Sequence, residues 1–512
     1  MTSQNLKVPR CNVDSRAQRL RRSGILLHVS SLPGNFCIGD FGPSAYAFVD
    51  CLRDCGISLW SILPLNDISE GFCPYCPISS FAGNPLFISL EQLAEQNLLD
   101  RSEVKARIID SCTSVDFSMA VRIKRKCLIE AFRRLTAGCN DDYYRAFLQY
   151  AANTRWLDEY VDYLFQSNRT PSSHWALREE HEESFSTNLE HETKDYLRFL
   201  QFVFFDQWKA LKNYANRSGI VISGDVPYTV TTSSCDVTRH PELFEIEVST
   251  GRARFESGAP PDAFNPDGQN WHTPTFNWTA HRKQSFDWWK TRIASAASLY
   301  DVFRLDHFRG FESYWRIPAD AQSTMEERWV KGPGTTFVRA ILEAVNRSRL
   351  YVEDLGYITP AVHALRDRFN LAGSAVLQFA FEGLQDHRYL PHNLAYNSVV
   401  YTGTHDLPTL RSWYKKLSAG EREGINEYVG QRVTEHNVHW EFVRLAYASV
   451  AKWIIIPAQD FLGLGEKSRM NVTGVAAESN WRWKLDTLAP LQAIADRLHR
   501  YALVYGRLGS DK

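Results

Sequence analysis

Two rhythms run along this chain: short continuous apolar runs, and longer stretches whose apolar residues recur at helical spacing. Ser23–His28 (SGILLH) is the first apolar run, and Tyr46–Gly56 then carries Ala47, Phe48, Cys51, Leu52 and Cys55 on one helical face before a glycine stop. Leu59–Pro64 (LWSILP) is a second run, and strand, helix, strand at this spacing is a βαβ unit that favours a parallel sheet. From Glu91 to Gly219 the pattern is helical and charged for longer than a loop runs, which predicts an inserted helical subdomain over about 91–219. Ile220–Asp225 (IVISGD) resumes the strand pattern. Thr229–His281 is rich in Pro, Gly, Thr and Asn with little periodicity, so an irregular insertion over about 226–298 is expected to overhang the site. Further strands are predicted at Val302–Asp306, Leu350–Glu353, Ala375–Phe379, Val399–Thr402 and Trp453–Pro457, mostly with helical stretches between them. The tally of about eight is the number that closes a (β/α)8 TIM barrel, an α/β fold here spanning 23–512.

The run Leu299–Glu312 ends abruptly in Arg304, Asp306, His307 and Arg309, the profile of a strand buried on both faces that delivers charge to its end. Arg304 and Asp306 are two apart and so point to one side of the pleat. Glu353, Asp406 and Asp225 also stand at predicted strand ends, and in a barrel those ends share one rim. Four acids, two of them beside His307 and His405, form a cluster that is costly to bury without purpose. Paired carboxylates are what glycosidic chemistry needs, one as nucleophile and one as general acid and base. Spacing does not say which acid takes which role.

A net charge of -1 leaves no electrostatic footprint for nucleic acid or an anionic membrane. No run approaches the roughly 18 apolar residues of a membrane helix, and the first twenty residues lack a hydrophobic signal core, so a cytoplasmic protein with a basic leader over 1–22 is expected. The 10 cysteines all lie at or before Cys235 without the regular spacing of a disulfide framework, and read as reduced, mostly buried thiols.

Cys73-Pro-Tyr-Cys76 has the spelling of a redox motif, but it follows a second strand rather than opening a small thioredoxin-like domain, and it lacks a second ligand pair for zinc. Phosphate-binding, dinucleotide-binding and zincin motifs are absent, so neither cofactor nor metal is expected. Trp481-Arg-Trp483 suits either a sugar platform or a core plug.

At these residues the sequence resembles the amylomaltases, the 4-α-glucanotransferases of glycoside hydrolase family seventy-seven. The likeness runs from about Arg22 to Trp483 and rests on Ser23–His28, Ser79–Pro85 (SSFAGNP), Gly258–Asp262 (GAPPD), Arg304–Gly310 (RLDHFRG), Glu353–Gly356 (EDLG), Tyr401–Asp406 (YTGTHD), Gly463–Gly465 and Arg469–Asn471. The resemblance implies Asp306 as nucleophile, Glu353 as general acid/base and Asp406 as the acid that orients sugar hydroxyls. Arg304, His307, His405 and Asp225 would surround the sugar whose bond is cut, with Tyr75, Trp271 and Asn471 as glucan contacts. The segment Gly258–Phe264 would cover the site, with Phe264 across the acceptor. It implies α-1,4-glucans such as maltooligosaccharides, glycogen or starch fragments as partners, and no separate C-terminal β-domain. The chain departs from the family pattern where Cys73 and Cys76 replace Ser and Gln, Leu407-Pro408 replaces Asn-Asp, His272 replaces Gly and Ser233 replaces Asp. An α-1,4-glucan hydrolase on the same scaffold, a non-catalytic glucan-binding protein and a thiol oxidoreductase using Cys73 and Cys76 are the competing readings.

Overall fold

The computed structural model describes residues 20–68, 72–109, 112–167, 187–261, 265, 267–321, 328–381, 387–475 and 477–509, with side chains at 167 and 187–189 excepted. Eight parallel strands close a barrel in sequence order. They are β1 (Arg22–Leu26), β2 (Leu59–Ser61), β3 (Val221–Val226), β4 (Val302–Leu305), β5 (Leu350–Val352), β6 (Ala372–Val376), β7 (Ser398–Tyr401) and β8 (Trp453–Pro457). Closure is made where Arg22–Leu26 pairs with Trp453–Pro457. Nearly every residue of these strands is buried, because helices cover the outside while side chains fill the inside. This is the (β/α)8 fold that the apolar runs predict. One strand differs: Ala375–Phe379 was expected, whereas β6 ends at Val376 and Leu377–Ala380 is a helical turn. All four residues of that turn are buried, and an apolar run buried on every side reads alike as strand or helix.

Among the described residues six α-helices lie between β2 and β3: Leu90–Glu95, Arg101–Ala106, Phe117–Thr136, Asp141–Asn153, Leu157–Ser167 and Thr187–Arg217. Asp100, Asp116 and Asn140 cap three of them, each side chain accepting from backbone N–H groups of the first turn that have no partner within the helix. The long helix is fastened to the loops above β2 by two glutamines, each of which accepts from and donates to one backbone unit. Gln201 does this at Gly83 (2.8 and 2.9 Å) and Gln207 at Ser89 (2.7 and 3.1 Å). A Cβ at Gly83 would sit 2.1 Å from the Phe204 ring, which explains the glycine of the SSFAGNP stretch. After β8 the described chain holds only short helices, Ala458–Phe461, the 3-10 turn Glu466–Ser468, Ala489–Gln492 and Ala495–Val504, and no sheet.

The stretch expected to be irregular contains regular structure. Phe255–Ala259 and Gln269–Pro274 join Ser313–Pro318 and Arg328–Lys331 in a four-stranded antiparallel sheet. Half of that sheet comes from the excursion after β3 and half from the one after β4, so no local hairpin signal announces the pairing between them.

Cys37 and Cys112 are joined by a disulfide, against the expectation of reduced thiols throughout. The fold creates this approach across 75 residues of sequence, which spacing does not reveal. Cys51, Cys55, Cys127 and Cys235 are buried free thiols, as expected. The expected basic leader lies outside the described residues, save its last positions. Among the described residues no helix is long and apolar enough to cross a membrane.

Lys124 of helix Phe117–Thr136 is fully buried and ties the helical subdomain to the barrel loops. Its Nζ donates to Asp40 Oδ2 (2.6 Å) and to the Ile88 carbonyl (2.7 Å). Burial pushes the Asp40 carboxyl up to about 6, with Lys124 opposing the shift. Lys124→Met is expected to cost about 3–5 kcal/mol of unfolding free energy in urea at pH 7, since Asp40 loses the cation that opposes its rise and must take up a proton or stay buried as an unpaired charge. The loss should shrink at pH 5, where that carboxyl takes up a proton. A loss below ~1 kcal/mol at pH 7 would mean that the pair does not fasten the subdomain.

Candidate active site

Arg304 on β4 lies directly across the ladder from Asp225 on β3, and its pleat aims it to the same side as Asp306 just beyond the strand. Its Nε donates to Asp225 Oδ2 (2.8 Å) and its Nη2 to Asp306 Oδ1 (2.7 Å). The Tyr75 hydroxyl closes the network, donating to Asp225 Oδ2 (2.7 Å) and accepting from Arg304 Nη2 (3.2 Å). Arg304 is 7% exposed, so these bonds form away from bulk water.

Glu353 follows β5 and is held by backbone donors: Leu355 N–H on Oε1 (2.6 Å) and His307 N–H on Oε2 (2.9 Å). His307 takes a left-handed conformation (φ 44°, ψ 50°), a turn placed immediately after Asp306 that is uncommon for a residue with a Cβ. Burial, then the charge of Asp306, pushes the Glu353 carboxyl up to about 8 against the pull of Arg304. Burial likewise lifts Asp225 to about 7, with Arg304 opposing and Asp306 adding to the rise. One guanidinium faces three acids here, so protons stay on the cluster near neutrality and belong to it jointly. Burial, then Arg309, lowers His307 to about 3, leaving its imidazole neutral.

Asp406 stands five residues past β7. Asn471 Nδ2 donates to its Oδ1 (2.6 Å), and His405 Nε2 lies 3.3 Å from its Oδ2. The segment carrying Asn471 is clamped to it twice more, by Arg469 Nη2 on the Asp406 carbonyl (2.9 Å) and by Asn471 N–H on the His405 carbonyl (3.1 Å). Tyr75 stacks flat on His405 (5.1 Å, 8°), and Trp481 tilts against both rings. Trp481 is 5% exposed, which makes it a buttress behind Tyr75 and His405 more than an open platform. Trp271 meets His307 edge-on (4.7 Å, 88°). The next residue, His272, has φ 52°, a left-handed position that accounts for the glycine of the family pattern.

Tyr75, Trp271, Arg304, Asp306, His307, Glu353, His405, Asp406 and Asn471 line one cleft of about 680 Å³. Asp225 does not line it but sits behind Arg304 and Tyr75, holding both. Phe264 lies outside the described residues, though Ala259 and Pro260 before it border the cleft. Cys73 and Cys76 are free thiols flanking Tyr75. Among the described residues no group of three or more His, Cys, Asp or Glu is arranged to hold a metal ion.

Sequence reasoning missed one wall of the cleft. Arg309, anchored on Ser313 Oγ (3.1 Å) and the Tyr357 carbonyl, lies 3.5 Å from the centroid of the Trp329 ring. Trp329 and the 57% exposed Tyr357 present near-parallel rings (6.0 Å, 19°) to the cleft on the side of Glu353. Trp329 sits in a short amphipathic strand with no motif around it, and only Arg309 carried a signal, as a charge at a strand end.

A family model described as 4-alpha-glucanotransferase matches residues 27–489. The 4-alpha-glucanotransferase of Aquifex aeolicus (strain VF5) is 38% identical over 485 residues, covering 91% of this chain and 96% of that protein. That of Clostridium butyricum is 37% identical over 491 residues, covering 94% of this chain and 100% of that protein. The solved structure of amylomaltase from Streptococcus agalactiae in complex with acarbose superposes with a TM-score of 0.86 at 29% identity, covering 95% of this chain and 99% of that one. Matched over most of its length by model, sequence and structure alike, the chain belongs to the 4-alpha-glucanotransferase family, glycoside hydrolase family seventy-seven.

Proposed function

We propose that the chain transfers α-1,4-glucan segments between maltooligosaccharides or glycogen- and starch-derived glucans in the cytoplasm, by double displacement with retention and without a cofactor. The observation that carries this reading is the pairing of Asp306 with Arg304 beside a Glu353 carboxyl raised to about 8. The Arg304 bond aims the Asp306 carboxyl, and a raised Glu353 carboxyl supplies a proton at neutral pH. Asp306 attacks the anomeric carbon while Glu353 protonates the glycosidic oxygen. The leaving glucan departs on the Glu353 side, and the sugar stays as an ester on Asp306. Glu353, now ionised, takes the proton from the 4-hydroxyl of an incoming glucan, which displaces Asp306. Arg304, itself fixed by Asp225 and Tyr75, orients Asp306. Asp406, set by Asn471 and His405, takes hydroxyls of the reacting sugar, while Trp271 and His307 contact the glucan. Retention calls for Asp306 and Glu353 carboxyl groups ~5–5.5 Å apart.

Water competes with the acceptor for the ester, and transfer wins only when the acceptor is held in place and water is kept out. Trp329 and Tyr357, on the side where the leaving glucan departs, are suited to stack on the apolar faces of the second and later acceptor sugars.

Incubating the protein with maltotriose is expected to give a ladder of longer and shorter glucans, and Asp306→Asn to abolish it while maltoheptaose still binds. Shortening without lengthening would make the protein a hydrolase, and an active Asp306→Asn variant would remove Asp306 from the nucleophile's role. Because the first step needs Glu353 protonated, kcat/KM for maltotriose should fall as pH rises through about 8. A profile flat to pH 9 contradicts the acid role. Trp329→Ala should raise KM for maltotriose as acceptor by about tenfold, leaving glucose nearly unaffected as an acceptor that reaches only the first subsite. Equal losses with both acceptors would reduce Trp329 to a structural part.

A further inference from the structure

The dithiol beside the cleft is the feature that glucan transfer leaves unused. Cys73 and Cys76 close one tight turn, with Cys76 N–H donating to the Cys73 carbonyl (3.0 Å). A turn of this kind brings its end Cα atoms within ~7 Å, a span that overlaps the ~4.4–6.8 Å of disulfides. Both thiols are half-buried and both border the cleft, so a small reagent reaches them by the path a glucan takes. The other adjacent free pair, Cys51 and Cys55 on helix Pro43–Asp54, is 4% and 1% exposed. Cys139 is exposed but stands in the turn after helix Phe117–Thr136, away from the cleft lining.

Between the two cysteines in sequence stands Tyr75, whose hydroxyl bonds Asp225 and Arg304 and whose ring stacks on His405. The turn has little slack elsewhere. Its entry is fixed by Phe72, stacked on Phe117 at 4.3 Å and 4°, and Pro74 and Pro77 restrict the backbone on either side. Drawing the two sulfurs together therefore moves Tyr75.

We propose that Cys73 and Cys76 form a thiol–disulfide modification site on the wall of the glucan cleft, taking a small glutathione-type disulfide as exchange partner, and that its oxidation disables the cleft through Tyr75. The Cys76 thiolate attacks one sulfur of the small disulfide, giving a mixed disulfide and expelling one thiolate. The Cys73 thiolate then attacks the Cys76 sulfur and expels the second. One disulfide forms in the protein, one small disulfide becomes two thiols, two electrons pass to the reagent, and the two thiol protons end on the released thiols. Cys76 attacks first because the hydrogen bond from Cys73 lowers it, whereas that bond and burial raise Cys73. The inference rests on the reading that Tyr75 belongs to the glucan site.

The test equilibrates the full-length protein with oxidised and reduced glutathione at graded ratios, alkylates free thiols, maps disulfides by mass spectrometry and assays maltotriose transfer in parallel. Binding of maltoheptaose is followed by tryptophan fluorescence, so that the cleft is read without turnover. The expected result is a Cys73–Cys76 disulfide whose formation lowers kcat/KM roughly 10- to 100-fold in step with its occupancy, with recovery under dithiothreitol. In Cys73→Ser a stable glutathione adduct should remain on Cys76. In Cys76→Ser the ratio of oxidised to reduced activity should return to one. Absence of the disulfide, its formation without change in binding or rate, or an equal response in the Cys73→Ser/Cys76→Ser double variant overturns the proposal. A reduced wild-type protein that binds glucan without extending maltotriose would instead overturn the transferase reading, leaving the oxidation effect to be judged on binding.

Discussion

The site is organised by a shortage of positive charge. Arg304 is the guanidinium at the centre of the cluster, and three carboxyl groups surround it: Asp225 and Asp306 in direct hydrogen bonds, and Glu353 close enough to feel both Arg304 and Asp306. Were all three ionised in this buried pocket, the net charge would be strongly unfavourable. The outcome is an unequal division. Asp306 receives a short bond from Nη2, while Glu353 receives only backbone N–H donors and rises to about 8. In the mechanism we propose, nucleophile and acid thus differ by surroundings, not by residue type, as paired carboxylates must for retaining chemistry.

That division depends on contacts made behind and around the three acids. Asp225 holds the far edge of Arg304, and Tyr75 spans the two. The left-handed turn at His307 presents its N–H to Glu353, so the strand end that supplies Asp306 also orients its partner acid. Tyr75 comes from the loop after β2, whose neighbouring segment is fastened by Gln201 of the helical subdomain through Gly83. A barrel rim assembled from short strands leaves its loops to be fixed from outside, and the helices between β2 and β3 do so.

The barrel was legible because a strand buried on both faces must be apolar throughout, and the boundaries at β1, β4, β5 and β8 fall within one or two residues of the apolar runs. Where a buried helix follows a strand without a polar break, as from Val376 to Leu377, that signal fails. The four-stranded sheet over the rim was illegible for a different reason: Gly258 pairs with Trp315, far along the chain, so neither strand carries the pattern of its partner. The acids announced themselves as charges ending apolar runs. The Asn471 clamp on Asp406 entered only through family resemblance, and the Trp329 wall not at all, since one tryptophan in a polar strand looks like any half-buried surface residue. The Cys37–Cys112 bond was hidden because pairing follows folded proximity, not spacing.

What distinguishes a transferase from a hydrolase on such a scaffold lies outside the charged cluster, because in the mechanism we propose the ester on Asp306 is equally open to water and to a sugar hydroxyl. The chemistry of Glu353 as a base does not choose between them. Discrimination therefore falls to surfaces that water cannot exploit. A ring such as Trp329, stacked under Arg309, gives no advantage to a water molecule, whereas in the mechanism we propose it helps hold an acceptor glucan, turning a collision into a positioned reactant. The same reasoning applies to the Ala259–Pro260 edge of the cleft, which borders it without supplying a hydrogen-bonding side chain that would recruit water. Transfer in this architecture is a property of the walls, and the barrel rim supplies the reactivity that either product requires.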